Sequence, residues 1–147
     1  MRTQTVLLIQ TIVLFCGTAF AWSKLIPQFV SFSPNPFLTA CLYGSTAFLV
    51  VLFWSVRVYQ HTTYRSQRYL RNFLLFCVAF AASVVAYEAV EYYHLLGPST
   101  NAFICTPGVP PTQTPCFVGM LFFIAAFIVS IFATRRLTPL PGENLLH

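Results

Sequence analysis

Apolar residues fill four long segments of this chain, and polar residues are concentrated in the short stretches between them. The segments cover residues 5–22, 37–56, 72–96 and 117–134. A helix needs about 20 mostly apolar residues to cross a bilayer core about 30 Å thick. A helix also satisfies its backbone polar groups internally, which lipid cannot do for it. We therefore predict an all-α, polytopic membrane protein, a four-transmembrane-helix bundle formed by a single domain over residues 1–147.

The composition agrees with this prediction and leaves no room for a soluble domain. Of the 147 residues, 57% are hydrophobic and only 7% are charged, whereas about a quarter of the residues in a soluble domain are charged. The net charge of +5 does not indicate nucleic-acid binding, because the basic residues lie at the ends of apolar segments, where they set membrane topology. We expect the lipid bilayer as a partner and no nucleic acid.

The arginines predict how the chain is oriented in the membrane. Residues 57–71 contain four arginines and no acid, and further arginines lie at position 2 and at positions 135 and 136. Cytoplasmic loops carry an excess of Lys and Arg. Both termini and the loop 57–71 are therefore predicted to be inside, and the loops 23–36 and 97–116 outside. The expected location is the cell inner membrane or the plasma membrane, with several passes.

The first apolar segment allows two interpretations. Arg2 followed by an apolar run and by Ala19-Phe20-Ala21 is typical of a secretory signal, in which residues 1–21 would be removed. However, the run is long for a signal core, and Trp22 with Lys24 is typical of the interfacial anchor of a retained span. We favour the retained span. Trp22 lies outside in both cases, so the predicted topology of the other three spans does not depend on this choice.

Three ionisable residues are spaced by three near the outer end of the third span. Glu88, Glu91 and His94 would share an arc of about 120° on a helix that continues to residue 96. They either lie at the headgroup level, solvated or paired with Lys24, or relay protons or bind a cofactor. The second role applies most to Glu88, the deepest of the three, because ionisable groups within a span are costly and usually face a cavity or a partner. The Glu-x-x-His spacing also occurs in di-metal bundles, but no other span contains Asp, Glu or His, so we expect no metal.

Two cysteines with ten residues between them lie in the predicted external loop. Cys105 and Cys116 would be exposed to a compartment that permits disulfides. Closing a loop of this size contributes about 3 kcal/mol in the chain-entropy model. We predict a Cys105–Cys116 disulfide, which is either structural or redox-active. Free or metal-bound thiols are the alternative.

The start of the second span adds a resemblance to a known family. Its sequence reads Pro-Phe-Leu-Thr-Ala-Cys-Leu-Tyr-Gly-Ser over residues 36–45. Together with the loop cysteines, it resembles the DsbB/BdbC family of quinone-linked disulfide-bond oxidases. At the start of its second span, that family has the signature Pro-Cys-x-x-Cys-x-Tyr-x-Arg. Cys41 and Tyr43 match the second cysteine and the tyrosine. Leu38 and Ser45 stand in place of the first cysteine and of the quinone-binding arginine.

The resemblance implies an envelope thiol–disulfide oxidoreductase. Cys105 and Cys116 would exchange with the dithiol of a soluble thioredoxin-like partner, and electrons would pass to Cys41 and then to a quinone between the helices. The residues expected to relay protons or bind the cofactor are Tyr43, Glu88, Glu91 and His94. Because two signature residues are replaced, we expect the activity to be weak or to require a second subunit.

Two other functions fit the same sequence. The exit of the first span, Gly-Thr-Ala-Phe-Ala-Trp-Ser-Lys-Leu-Ile-Pro-Gln-Phe over residues 17–29, resembles the DoxX/MauE group of small four-span proteins. A non-catalytic subunit or assembly factor of a larger membrane complex, with a structural loop disulfide, is the alternative from another class. A redox path requires Cys41 on the same face as the loop cysteines, whereas a structural protein does not.

Overall fold

The computed structural model describes residues 3–31, 40–94 and 109–137. These residues form no strand, and their long helices are α1 (Thr3–Ser31), α2 (Ala40–His61), α3 (Tyr64–Tyr92) and α4 (Pro115–Arg136). A short 3-10 helix, Pro111–Gln113, precedes α4. All four α-helices contain a stretch long and apolar enough to cross a membrane. The prediction of an all-α, multi-pass membrane bundle is therefore confirmed.

Neighbouring helices run antiparallel. Only residues 62–63 separate α2 from α3, so these two helices form a tight hairpin. The hydroxyls of Thr11 and Ser55, 2.9 Å apart, join the beginning of α1 to the end of α2, and Gln67 near the start of α3 donates to Ser130 near the end of α4. We call the end with the α2–α3 turn the arginine end. The opposite end, where α2 and α4 begin, is the cysteine end.

The prediction that residues 57–71 form a loop is wrong. Helix α2 continues to His61 and α3 already begins at Tyr64, so almost all of this segment is helical. Arginine has a high helix propensity, and its long side chain can reach the polar interface from a helical turn. The arginines of this segment therefore do not end the helices.

The other helix ends also differ from the predicted spans. Helix α1 extends to Ser31 with Pro27 inside it, so residues 23–31 are not part of an external loop. Leu25, which is fully buried, holds this extension against the bundle. Helix α3 ends at Tyr92 instead of residue 96, and α4 begins at Pro115 instead of residue 117. The extra turn places Cys116 in a helix and not in the loop.

The centre of the bundle is built around Phe48. Its ring stacks on that of Phe123, with centroids 3.9 Å apart, and joins α2 to α4 across the bundle. On the other side, α1 approaches closely because residue 17 is glycine. A Cβ atom built at Gly17 would lie 2.6 Å from Cε1 of Phe48 and 3.1 Å from the Cβ of Phe122. The close contact of α1 with α2 and α4 therefore depends on this glycine.

We expect Gly17→Ala to destabilise the bundle, because the new methyl group overlaps the Phe48 ring. Overpacking a filled core typically costs about 1–3 kcal/mol. Gly44→Ala is the matched control, since a Cβ at that position meets no atom within 4 Å and alanine favours helix over glycine by about 1 kcal/mol. Thermal unfolding in detergent, followed by circular dichroism, measures both. A Gly44 variant that is destabilised as much as the Gly17 variant would contradict this packing.

A buried polar network near the arginine end sets the rotation of α3. The Gln67 side-chain amide donates to Gln10 Oε1 at 2.9 Å and to Ser130 Oγ at 3.0 Å, which ties α3 to α1 and α4. Such hydrogen bonds between helices are favourable in a membrane interior. Glu88 follows Gln67 by 21 residues (88 − 67), which is close to six helical turns. The network thereby places Glu88 on the same buried face of α3.

Candidate functional site

Glu88 is a buried carboxyl group at the cysteine end, with 3% of its surface exposed. Its Oε2 atom accepts a hydrogen bond from the Thr114 hydroxyl at 2.8 Å. Its Oε1 atom is also buried and accepts no hydrogen bond. A buried carboxyl with one oxygen unpartnered is costly in a membrane protein. Such a group is a candidate for a chemical function.

Thr114 connects Glu88 to the start of α4. It is the N-cap residue of that helix, and its hydroxyl accepts a hydrogen bond from the Phe117 backbone N–H at 3.3 Å. The same oxygen lies 2.9 Å from the Pro111 carbonyl oxygen. A hydroxyl has one proton to donate, so it can donate to Glu88 or to Pro111. If Glu88 is protonated, it can donate to Thr114, which then donates to Pro111. The arrangement therefore accommodates both protonation states of Glu88.

Cys116 lies in the first turn of α4, beside Glu88. Its side chain is half-buried and within hydrogen-bonding reach of the Glu88 carboxyl. Cys116 is present as a thiol, so the predicted Cys105–Cys116 disulfide is wrong for this structure, and Cys105 itself lies outside the described residues. The physical reason is the earlier start of α4, because a cysteine in that helical turn is positioned against the bundle.

Cys41 is the disulfide-bonded cysteine of the described part of the chain. It lies in the first turn of α2, whereas Cys16 and Cys77 are thiols elsewhere on α1 and α3. Cys41 and Cys116 line the same cavity of about 60 Å³, which we call the cysteine cavity. A disulfide sulfur and a thiol therefore lie on either side of one small space at the cysteine end.

Among the described residues that line the cysteine cavity, Lys24 is the only basic one. It is the single lysine of the sequence, and its Nζ lies 5.8 Å from the centroid of the Phe20 ring. Ser45, which replaces the arginine of the family signature, lines the same cavity from α2 and is buried. The cysteine cavity therefore has a basic side chain from α1, whereas its lining residues from α2 include none. From the sequence, Lys24 was expected to be an interfacial anchor or a partner of the ionisable residues of the third span, because nothing in the sequence indicates that α1 extends over this cavity.

The remaining predicted residues are placed differently. Glu91 is half-buried, while His94 is exposed and has a φ of 52°. Because α3 ends at Tyr92 and the backbone turns left-handed at His94, the predicted arc of three residues on one helical face is wrong. Tyr43 is 54% exposed and lines a different opening. In the described ranges, no three His, Cys, Asp or Glu side chains are grouped so that they could hold a metal ion.

A larger opening, which we call the aromatic cleft, lies between α2 and α3 in the half of the bundle nearer the cysteine end. Its volume is about 810 Å³. Six of its lining residues are aromatic: Tyr43, Phe73, Phe76, Phe80, Tyr87 and Phe123. Four residues line both the cleft and the cysteine cavity: Ala40, Phe80, Val84 and Phe123. The cleft and the cavity are therefore separated by a single layer of side chains.

These features define a class of protein, a multi-pass four-helix membrane protein with a disulfide, a thiol and a buried carboxyl group at one end. The chain matches no protein-family model, no curated protein and no solved structure. The resemblance to the DsbB/BdbC family therefore rests on the sequence motifs alone, and its functional implications enter below as proposals.

Proposed function

We propose that this protein is a thiol–disulfide oxidoreductase of the cell inner membrane or plasma membrane, which passes electrons from a soluble dithiol partner to a quinone. The observation that carries the proposal is the cysteine cavity, lined by the disulfide-bonded Cys41 and the Cys116 thiol. Thiol–disulfide exchange requires a thiolate that can reach a disulfide sulfur. The predicted topology places this end of the bundle outside, where a soluble partner has access.

We propose Cys105 as the disulfide partner of Cys41, because the other three cysteines of the chain are thiols. In the first step, a thiolate of the soluble partner attacks Cys105, and Cys41 leaves as a thiol. The second thiol of the partner then attacks the mixed disulfide. This releases the oxidised partner and leaves Cys105 reduced, so two electrons and two protons have entered the protein.

The second half of the cycle uses Cys116. Cys41 and Cys116, both now reduced and on the same cavity, are oxidised to a disulfide while a quinone takes two electrons and two protons and becomes a quinol. The Cys105 thiol then attacks Cys41 and releases Cys116 as a thiol, which restores the starting state. The net reaction converts one dithiol and one quinone into one disulfide and one quinol.

Two charged residues support this chemistry. Glu88 lies beside Cys116, and its hydrogen-bond arrangement with Thr114 accommodates the protonated and the ionised carboxyl. We propose that it accepts the Cys116 proton when that thiol is oxidised. A nearby cation stabilises a thiolate, and Lys24 is the basic residue that lines the cavity.

The sizes of the two openings indicate where a quinone would bind. Sites for small molecules typically have volumes of about 300–1,000 Å³, so the cysteine cavity of about 60 Å³ is too small for a quinone ring. The aromatic cleft, at about 810 Å³, is large enough. Its rings offer stacking surfaces. Phe76, 65% exposed, lies at its mouth on the membrane-facing side of the bundle, so a lipid-soluble quinone would enter from the bilayer.

The experiment is quinone-dependent oxidation of a reduced thioredoxin-like protein by the purified chain, with Ser83→Trp as the test variant. Ser83 is exposed and lines the aromatic cleft, so an indole there would occupy the quinone site. We expect the KM for quinone to rise by about tenfold, as for the loss of one or two aromatic stacking contacts.

Ala82→Trp is the matched control, because Ala82 is exposed on the same helix and does not line the cleft. Equal effects of the two variants would contradict the proposed quinone site. A wild-type protein that shows no quinone-dependent oxidation would overturn the enzyme function and favour a non-catalytic subunit with a structural disulfide.

A further inference from the structure

A second polar site lies at the arginine end, opposite the cysteine end with its cysteine cavity. It is a recess of about 630 Å³ formed by the last turns of α2 and the first turns of α3. We call it the basic recess. Its lining residues include Trp54, Arg57, His61, Arg65, Ser66 and Tyr69.

The recess is strongly positive. Arg57 and Arg65 come from different helices and are both exposed. The chain has three acids in total. Glu88 and Glu91 lie at the cysteine end, and the third, Glu143, is outside the described residues, so no described acid neutralises this recess. The planar guanidinium group offers paired N–H donors that match the oxygens of a phosphate.

Several contacts hold the walls of the recess in place. The Trp54 indole N–H donates to Ser66 Oγ at 3.0 Å, and the Arg65 guanidinium lies over the Tyr69 ring, 5.9 Å from its centroid. Trp54 also contacts Phe73, with ring centroids 6.1 Å apart, and Phe73 lines the aromatic cleft. Trp54 is therefore held both by Ser66 and by the packing of its ring against α3.

Membrane topology alone does not require this arrangement. The positive-inside rule concerns only the number of basic residues on one side of the membrane. It does not require two arginines from different helices to line one recess bordered by Trp and Tyr, the residues preferred at the membrane interface. Basic pockets between helices on the cytoplasmic side are suited to anionic lipid headgroups.

We propose that the basic recess binds a phosphate group, with Arg57 and Arg65 as its ligands. The same chemistry would be supplied by the headgroup of an anionic phospholipid or by soluble phosphate. This site is independent of the redox function proposed above, because it shares no residue with the cysteine cavity or the aromatic cleft.

The test compares the full-length wild type with Arg57→Gln/Arg65→Gln and with a control that also removes two charges from the arginine end, Arg71→Gln/Arg135→Gln. Neither control residue lines the recess. Phosphatidylglycerol binding is measured by native mass spectrometry in detergent, on protein whose helix content is verified by circular dichroism. Each basic residue near a membrane surface is worth about a factor of five in affinity, so we expect the Arg57/Arg65 variant to bind about 30-fold more weakly than the wild type. The control should lose much less.

Inorganic phosphate is the second probe and distinguishes the two sources. Competition of millimolar phosphate with phosphatidylglycerol would support the site with a soluble ligand, whereas binding of the lipid without such competition would support a lipid headgroup. If the two double variants lose affinity equally, the arginines act only through the general surface charge, and the proposal is overturned. The same holds if the wild type binds neither probe. If the glutamine variant does not fold, phosphatidylglycerol affinity is measured on Arg57→Lys/Arg65→Lys, which keeps both charges. An affinity equal to that of the wild type would overturn the role of the guanidinium groups.

Discussion

Cys116→Ala should abolish multiple-turnover oxidation of a dithiol by quinone while leaving one stoichiometric turnover intact. In the proposed cycle, the Cys41 disulfide still accepts electrons from the soluble partner once, because this step does not use Cys116. The reduced protein then cannot form the Cys41–Cys116 bond that passes electrons to the quinone. Removing a residue that forms a covalent intermediate typically lowers turnover by at least about a thousandfold.

Rapid mixing of the oxidised variant with a reduced thioredoxin-like protein, with and without quinone, separates the two phases. Cys16→Ala is the matched control, because Cys16 is also a thiol but is exposed on α1 and does not line the cysteine cavity. Sustained quinone turnover by the Cys116 variant would show that Cys116 is not part of the electron path. Loss of the first stoichiometric turnover would instead show that the disulfide reduced by the soluble partner includes Cys116, which would contradict the proposed cycle.

Glu88→Gln should remove the proton acceptor while leaving the packing in place. Glutamine has the same shape as the neutral carboxyl, and its amide oxygen can accept the hydrogen bond from Thr114. We therefore expect a normal amount of folded protein in the membrane. A positioned acid or base contributes about 10²–10⁴-fold to a rate, so quinone-linked turnover should fall by this factor. Turnover per folded molecule is the quantity to measure.

Two further variants distinguish a role of Glu88 in proton transfer from a role in the stability of the fold. Glu91→Gln changes the next carboxyl on α3, which is half-buried, and should retain turnover. Thr114→Val removes the hydroxyl bonded to Glu88 Oε2, and leaving a buried polar group without its partner costs about 1–3 kcal/mol. A Glu88→Gln protein that unfolds but keeps its turnover per folded molecule would assign Glu88 to structure. Equal losses in Glu88→Gln and Glu91→Gln would contradict a specific role for Glu88.

The sequence by itself determined the class of the protein and the number of spans. Four apolar segments of membrane-crossing length, separated by polar stretches, can satisfy their backbone hydrogen bonds in lipid only as helices. Glu88 could also be singled out from the sequence, because an ionisable group deep inside a span is costly and usually faces a cavity or a partner. Helix ends were predicted less well. Arg57 and Arg65 were interpreted as loop residues, although arginine is compatible with a helical turn at the membrane surface.

Only the tertiary structure decided which residues share a site. The pairing of cysteines depends on where α4 begins, and the earlier start at Pro115 positions Cys116 beside Glu88 instead of in the loop with Cys105. Lys24 reaches the cysteine cavity because α1 continues past Pro27, held by the packing of Leu25. Whether side chains from different helices meet depends on the rotation and the length of each helix. Both are determined by the buried contacts between the helices. A one-turn change in a helix end leaves hydropathy almost unchanged, so the composition of the chain carries almost no information about it.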